Sequence, residues 1–347
     1  MGKLLELTDA GLYCPVGDFY IDPWRPVARA IITHAHSDHA RIGSRHYLTT
    51  AEGAGVLRLR VTGDWVTEQG YAPPQISTLP YGETLKVNGV SISLHPAGHL
   101  LGSAQVRVEH GGEIWVVSGD YKTQADATCT PFEPVRCHTF ITESTFGLPI
   151  YRWRPQAELF ADINNWWRAN QQQGRTSFLY AYALGKAQRI LAGLDPQIGP
   201  ILTHGSVARL NRAYAEAGIA LPASHYADDE AAKSTRGRAM VIAPPSAANT
   251  PTYLRKFGPT SHAFASGWMT IRGARRRRAV DRGFVLSDHA DWPGLIEAIR
   301  ATGATNIGVT HGYTAVMARW LRENGWNAWG IETRFTGEEQ AEEQAEE

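Results

Sequence analysis

The chain has 347 residues, 43% hydrophobic and 20% charged, the proportions of an ordinary globular protein with room for one large domain or two smaller ones. No run reaches the roughly 18 consecutive apolar residues of a membrane span, and MGKLLELTDAGLYC lacks the apolar core of a secretory signal. Three cysteines (Cys14, Cys129, Cys137), odd in number and without zinc-knuckle spacing, read as buried thiols of a cytoplasmic protein.

The net charge of zero hides an asymmetry. The C-terminal stretch GEEQAEEQAEE, residues 337–347, holds six glutamates and no basic residue, leaving 34 basic and 28 acidic side chains elsewhere, a body of about +6. With nothing apolar to bury, this tail reads as disordered and solubilising.

Up to about residue 125, short apolar runs separated by turn signals predict strands at FYID (19–22), ARAIITH (28–34), VSISLHPA (90–97), AQVRVEH (104–110) and IWVVSGD (114–120). Between the second and third lies SDHARIGSRHYLTTAEGAGVLRLR, read as a loop entering helical segments. PQAELFADINNWWRANQQQ (155–173) starts with Pro and has helical apolar spacing, which predicts a helix. From about 174 an α/β rhythm begins: SFLYAYAL strand, GKAQRILAGL helix, GPILTHG strand, SVARLNRAYAEAG helix, then RAMVIAPP and HAFASGW as strands. This alternation predicts a small parallel sheet. After residue 280 come strand GFVLSDHA, helix DWPGLIEAIRATG, strand NIGVTHG and helix YTAVMARWLRENG.

The chemistry lies where predicted strands end. IITHAHSDHA (31–40) puts His34, His36, Asp38 and His39 within six positions, although histidine is only 13 of 347 residues. Residues two apart in an extended turn can face one ion, so His34 and His36 suit one metal, and Asp38 and His39 a second. His99 follows a strand, Asp120 ends IWVVSGD with two oxygens able to bridge, and His311 ends NIGVTHG. Imidazole and carboxylate ligands suit zinc first, with manganese or iron also accommodated. Two such ions roughly 3.5–4 Å apart stabilise both the attacking and the leaving oxygens of a phosphodiester cleavage.

HAHSDH resembles the HxHxDH signature of the metallo-β-lactamase superfamily, and the matching downstream positions occur in order across nearly the whole chain. Asp22, closing FYID, resembles that family's first, structural aspartate. ITEST (Glu143), VLSDHAD (His289) and VTHG (His311) resemble the three further motifs of the β-CASP nucleases, which include RNA 3′-end processing enzymes and DNA repair nucleases. YALGKAQRIL resembles the segment opening their inserted domain. SGWM, RGARRRR, DRGFVLSDHADWPGL and VTHGY look most like the bacterial ligase-associated DNA exonucleases.

The resemblance implies an αββα sandwich with an inserted α/β β-CASP domain: residues 1–155 and 266–336 forming the sandwich, 156–265 the insertion, 337–347 the tail. It implies one metal on His34, His36 and His99, another on Asp38, His39 and His311, and Asp120 as the bridge. Glu143 would orient His289, which would protonate the leaving oxygen. The active site would lie in a groove between sandwich and insertion. A DNA ligase and a helicase are partners implied by the branch alone.

For nucleic-acid contact, Arg272, Arg275, Arg276, Arg277 and Arg278 suit phosphates, Trp268 could stack a base, and Lys186 after Gly185 could meet a terminal phosphate. The expected activity is a metal-dependent DNA exonuclease of repair. An RNA-processing nuclease is the alternative: DNA-directed eukaryotic members usually carry valine at the position of His311, and RNA-directed ones histidine. A small-molecule hydrolase would need neither the insertion nor Glu143. His204, in a second THG, reads as a strand-end residue, and His95 as either a packing residue or a partner that orients a metal ligand.

Overall fold

In the central seven-stranded sheet, neighbouring side chains on one strand go to different cores. Trp115 and Val117 join one buried cluster with Ile21, Ile31, Val106 and Ile141, whereas Val116 joins another with Phe140, Leu295, Ile299, Met317 and Leu321. This alternation is the period of two that a strand imposes. The computed structural model describes residues 3–271 and 280–332.

The described residues form two compact units, one from residues 3–150 and 289–332, the other from residues 151–271 and 280–288. In the first unit a six-stranded sheet runs in the order Glu6–Thr8, Gly11–Cys14, Phe19–Ile21, Arg29–Ile31, His46–Thr50, Gln75–Leu79. The first two pairings are antiparallel and the last three parallel. The seven-stranded sheet runs Asn327–Gly330, Asn306–Gly312, Thr139–Ser144, Glu113–Val117, Ala104–His110, Val90–Pro96, Thr84–Val87. One core fills the space between the two sheets; the other lies under helices Trp292–Thr302 and Thr314–Glu323. Each fully buried Leu, Ile or Val there contributes about 1.5–3 kcal/mol.

The second unit is a six-stranded, wholly parallel sheet ordered His225–Tyr226, Ile201–Thr203, Met240–Ala243, Thr176–Tyr180, Thr260–Ala265, Arg282–Phe284. Helices Gln156–Gln172 and Lys186–Gly193 pack into its core through Ile163, Trp167, Ile190 and Leu191. The mixed sandwich and the parallel α/β unit are the fold that the motifs imply.

Two local readings differ. HYLTT is the strand His46–Thr50, held on both sides by parallel partners far away in the chain. The second unit extends past residue 265 because Arg282–Phe284 pairs with Thr260–Ala265, and GFVLSDHA leaves the strand after Phe284. The arginines at 272 and 275–278 and the acidic tail lie outside the described residues. All three cysteines are buried and free. Among the described residues no helix is long and apolar enough to cross a membrane.

Candidate metal centre

Each strand that ends at the centre delivers one polar side chain or one tight turn. Arg29–Ile31 leads into Thr33-His34, and the turn that follows is closed by Ala40 N–H donating to His36 O at 2.8 Å. Val90–Pro96 leads to His99, whose N–H is accepted by Ser103 Oγ at 3.0 Å. Glu113–Val117 leads to Asp120.

His311 arrives by a different device. Along the Thr139–Ser144 pairing, Glu143 opposes Thr310 and Ser144 opposes Gly312, so His311 is the extra residue of a bulge, with φ of +53°. Bulges beside sites re-aim a side chain. Gly312 follows because a Cβ there would meet Ser144 O and Thr145 Cα, each at 2.5 Å.

The ligand atoms of His34, His36, His99 and Asp120 all lie within 4.8 Å of one another, as do those of Asp38, His39 and His311. His34 Nε2 and His99 Nε2 stand 3.2 and 3.1 Å from His36 Nδ1, and 3.5 and 4.0 Å from Asp120 Oδ2. On the other side His39 Nε2 is 3.3 Å from Asp120 Oδ2 and 3.7 Å from Asp38 Oδ2, and His311 Nδ1 is 3.9 Å from Asp120 Oδ1. Asp120 is thus the residue common to both sides.

Outside this ring, Asp22 Oδ2 accepts from His39 Nδ1 at 2.7 Å. Glu143 takes the Tyr121 N–H on Oε1 at 2.8 Å and holds His289 Nδ1 on Oε2 at 2.8 Å. Glu143, His289 and Asp120 form a third close group. The motifs named Glu143 and His289; their contact, 146 residues apart in the chain, is a product of the fold.

Burial and neighbouring charges compete at the centre. Burial holds His34 well below the usual imidazole range, helped by His39 and His99, and so keeps it neutral. Burial also opposes charge on Asp120, but His39 and His289 outweigh it and hold that carboxyl well below its usual range. For His39 the order is the same: burial lowers its pKa, and Asp120, Asp38 and Asp22 together raise it well above the ordinary value.

A divalent cation fits this donor set on two grounds. Imidazole nitrogens and carboxylate oxygens are ligands of the zinc type. Buried His39 Nε2 and Asp120 Oδ1 also have no hydrogen-bond partner, a cost that coordination would remove. The two His/Asp groups therefore form a dinuclear-type metal centre.

Other residues fall elsewhere. Lys186 is fully buried with its Nζ 4.7 Å from the Tyr182 ring centroid, and Trp268 is buried edge-on to Tyr151. His204 caps helix Gly205–Glu216 by accepting from Ser206 N–H, and His95 pairs with Ser93 Oγ at 3.0 Å. Sequence reasoning missed Thr33, which touches Asp22 and His34; its only signal was a hydroxyl standing between an apolar run and HAHSDH.

No family model matches the chain. Over 324 residues it is 32% identical to the "Probable DNA ligase" of Opitutus terrae, covering 92% of this chain and 30% of that protein. Over 123 residues it is 33% identical to endoribonuclease YSH1 of Yarrowia lipolytica, covering 35% of this chain and 15% of that one. Over 195 residues it is 30% identical to cleavage and polyadenylation specificity factor subunit 3-I of Arabidopsis thaliana, with 48% and 27% covered. The chain thus spans less than a third of the length of these relatives.

Among solved structures, a protein of unknown function from Enterococcus faecalis V583 aligns with a TM-score of 0.58 over 89% of this chain and 80% of that one, at 13% identity, a likeness of fold. The HAHSDH turn, the two-sided His/Asp centre, the mixed sandwich with its parallel α/β unit and these relatives together show that the chain belongs to the metallo-β-lactamase superfamily, in its β-CASP group.

Proposed function

We propose that this β-CASP metallo-hydrolase is a DNA exonuclease of repair. The observation that carries the choice of DNA is the alignment over 92% of the chain with a relative named a probable DNA ligase, where the YSH1 match reaches 35%. A nuclease of the ligase-associated branch, working beside a DNA ligase and a helicase, accounts for both.

His34, His36 and His99 would hold one divalent ion, Asp38, His39 and His311 the other, and Asp120 both; zinc is the first candidate and manganese the second. When bound, the ions supply Lewis acidity to the phosphoryl group and lower the pKa of water. The chain's own residues do the rest. Glu143 fixes the His289 ring by accepting its Nδ1–H, which leaves Nε2 to carry the proton that the leaving 3′ oxygen needs. Glu143 is itself pinned by the Tyr121 N–H, so the pair does not have to reorganise during reaction. Arg272 and Arg275–Arg278 would contact phosphates, whereas the buried Lys186 and Trp268 are not placed to do so.

The second reading, an RNA-processing nuclease, draws on the endoribonuclease matches. Matched single-stranded DNA and RNA oligonucleotides, labelled separately at each end and incubated with zinc or manganese, test both readings. Stepwise mononucleotide release from DNA, lost in Asp38→Ala, is expected. Internal cuts in RNA with DNA untouched would establish the second reading, and full cleavage by Asp38→Ala would overturn the metal assignment.

A further inference from the structure

Two of the imidazoles in the HAHSDH turn share one carboxylate, one of them through a hydroxyl. Asp22 Oδ1 accepts the Thr33 N–H at 2.8 Å, and its Oδ2 accepts both the Thr33 hydroxyl at 2.5 Å and His39 Nδ1 at 2.7 Å. Thr33 Oγ1 is in turn 3.1 Å from His34 Nδ1. A hydroxyl has one proton, and the carboxylate, which has none to give, takes it. Oγ1 must therefore accept from His34 Nδ1–H. The arrangement that satisfies these contacts has His34 donating to Thr33, Thr33 donating to Asp22, and His39 donating to Asp22 at 2.7 Å, with Thr33 Oγ1 farther from His39 Nδ1, at 3.5 Å. Both imidazoles carry a proton on Nδ1 and turn Nε2 inward, toward Asp120 Oδ2 at 3.5 and 3.3 Å.

The surroundings hold Thr33 in this pose. Its side chain is buried beneath Gly119, where a Cβ would come within 2.5 Å of Oγ1 and 2.6 Å of Cβ. Gly119 has φ of +57° and immediately precedes Asp120, so the turn that presents Asp120 rests on Thr33. Thr33 O also accepts the N–H of Ala104, at the start of the strand Ala104–His110 in the other sheet.

We propose that Thr33 is a positioning residue whose hydroxyl extends the reach of Asp22 from one metal group to the other: Asp22 orients His39 directly and His34 only through Thr33. The inference rests on the metal assignment above and adds an asymmetry to it. Removing the Thr33 hydroxyl weakens the ion on His34, His36 and His99 and spares the ion on Asp38, His39 and His311. Loss of such an outer partner typically costs about 10–100-fold in metal affinity.

The test is zinc titration against a chromophoric chelator in two backgrounds. His311→Ala leaves the His34 group whole, and His36→Ala leaves the His39 group whole. Thr33→Val, which replaces the hydroxyl by a methyl of the same shape, should weaken zinc by about 10–100-fold in the first background and by less than about threefold in the second. Thr33→Ser, which keeps the hydroxyl, should match the parent, and Thr33→Ala should match Thr33→Val; this pair serves if the valine variant does not fold. Equal weakening in both backgrounds, or equal affinities for Thr33→Ser and Thr33→Ala, would overturn the relay. If the parent protein takes up no zinc at all, the metal assignment itself fails, and the relay with it.

Discussion

Asp22–His39 and Glu143–His289 are nearly the same couple. In each, one carboxylate oxygen takes a backbone N–H at 2.8 Å, from Thr33 or Tyr121, and the other holds an imidazole Nδ1, at 2.7 or 2.8 Å. Both imidazoles are buried. What differs is the far side of the ring. His39 Nε2 faces two carboxylates, Asp120 at 3.3 Å and Asp38 at 3.7 Å, and has no hydrogen-bond partner. His289 shares its group with a single further carboxylate, Asp120, and packs its ring near Phe146 and His99. A carboxylate behind an imidazole raises its basicity in either place; the groups in front decide whether that lone pair is spent on a metal or on a proton.

Two substitutions sharpen this contrast. His39→Ala should do the most damage, because it removes a ligand beside the shared Asp120. Several kcal/mol of transition-state stabilisation are at stake, so cleavage should fall at least about 10³-fold. Elemental analysis should show less metal per chain than in the parent. His289→Ala should lower the rate by about 10²–10⁴-fold on a nucleic acid, whose alkoxide leaving group needs a proton. Its metal content should stay that of the parent, and the loss should shrink on bis(4-nitrophenyl) phosphate, whose leaving group needs none. Metal lost from His289→Ala would erase the distinction and make His289 a ligand.

How much of this is written locally in the chain follows from distance along it. His34, His36, Asp38 and His39 sit on one turn, and the apolar run before them is a strand, so their convergence can be read from the sequence. His99, Asp120 and His311 were legible as strand-end residues, since a side chain leaving a strand's end is where α/β scaffolds present ligands. Which of them meet was not legible, because that depends on sheet order. The Glu143–His289 contact needed the family resemblance, and Thr33 escaped notice because a threonine after an apolar run looks like more strand. The strand His46–Thr50 was missed for a related reason: the strands it pairs with, Arg29–Ile31 and Gln75–Leu79, are separate segments of the chain.

The bulge at His311 has a consequence for heat tolerance. An L-residue in the left-handed region costs roughly 1–2 kcal/mol, whereas glycine, with no Cβ, enters it without that steric cost. His311→Gly should therefore keep the bulge, recover part of that cost and raise the melting temperature of the metal-free protein by a few degrees, while cutting catalysis. A chain selected for durability alone would be expected to drift away from histidine at this position. Keeping it means accepting a less robust fold in return for a working site.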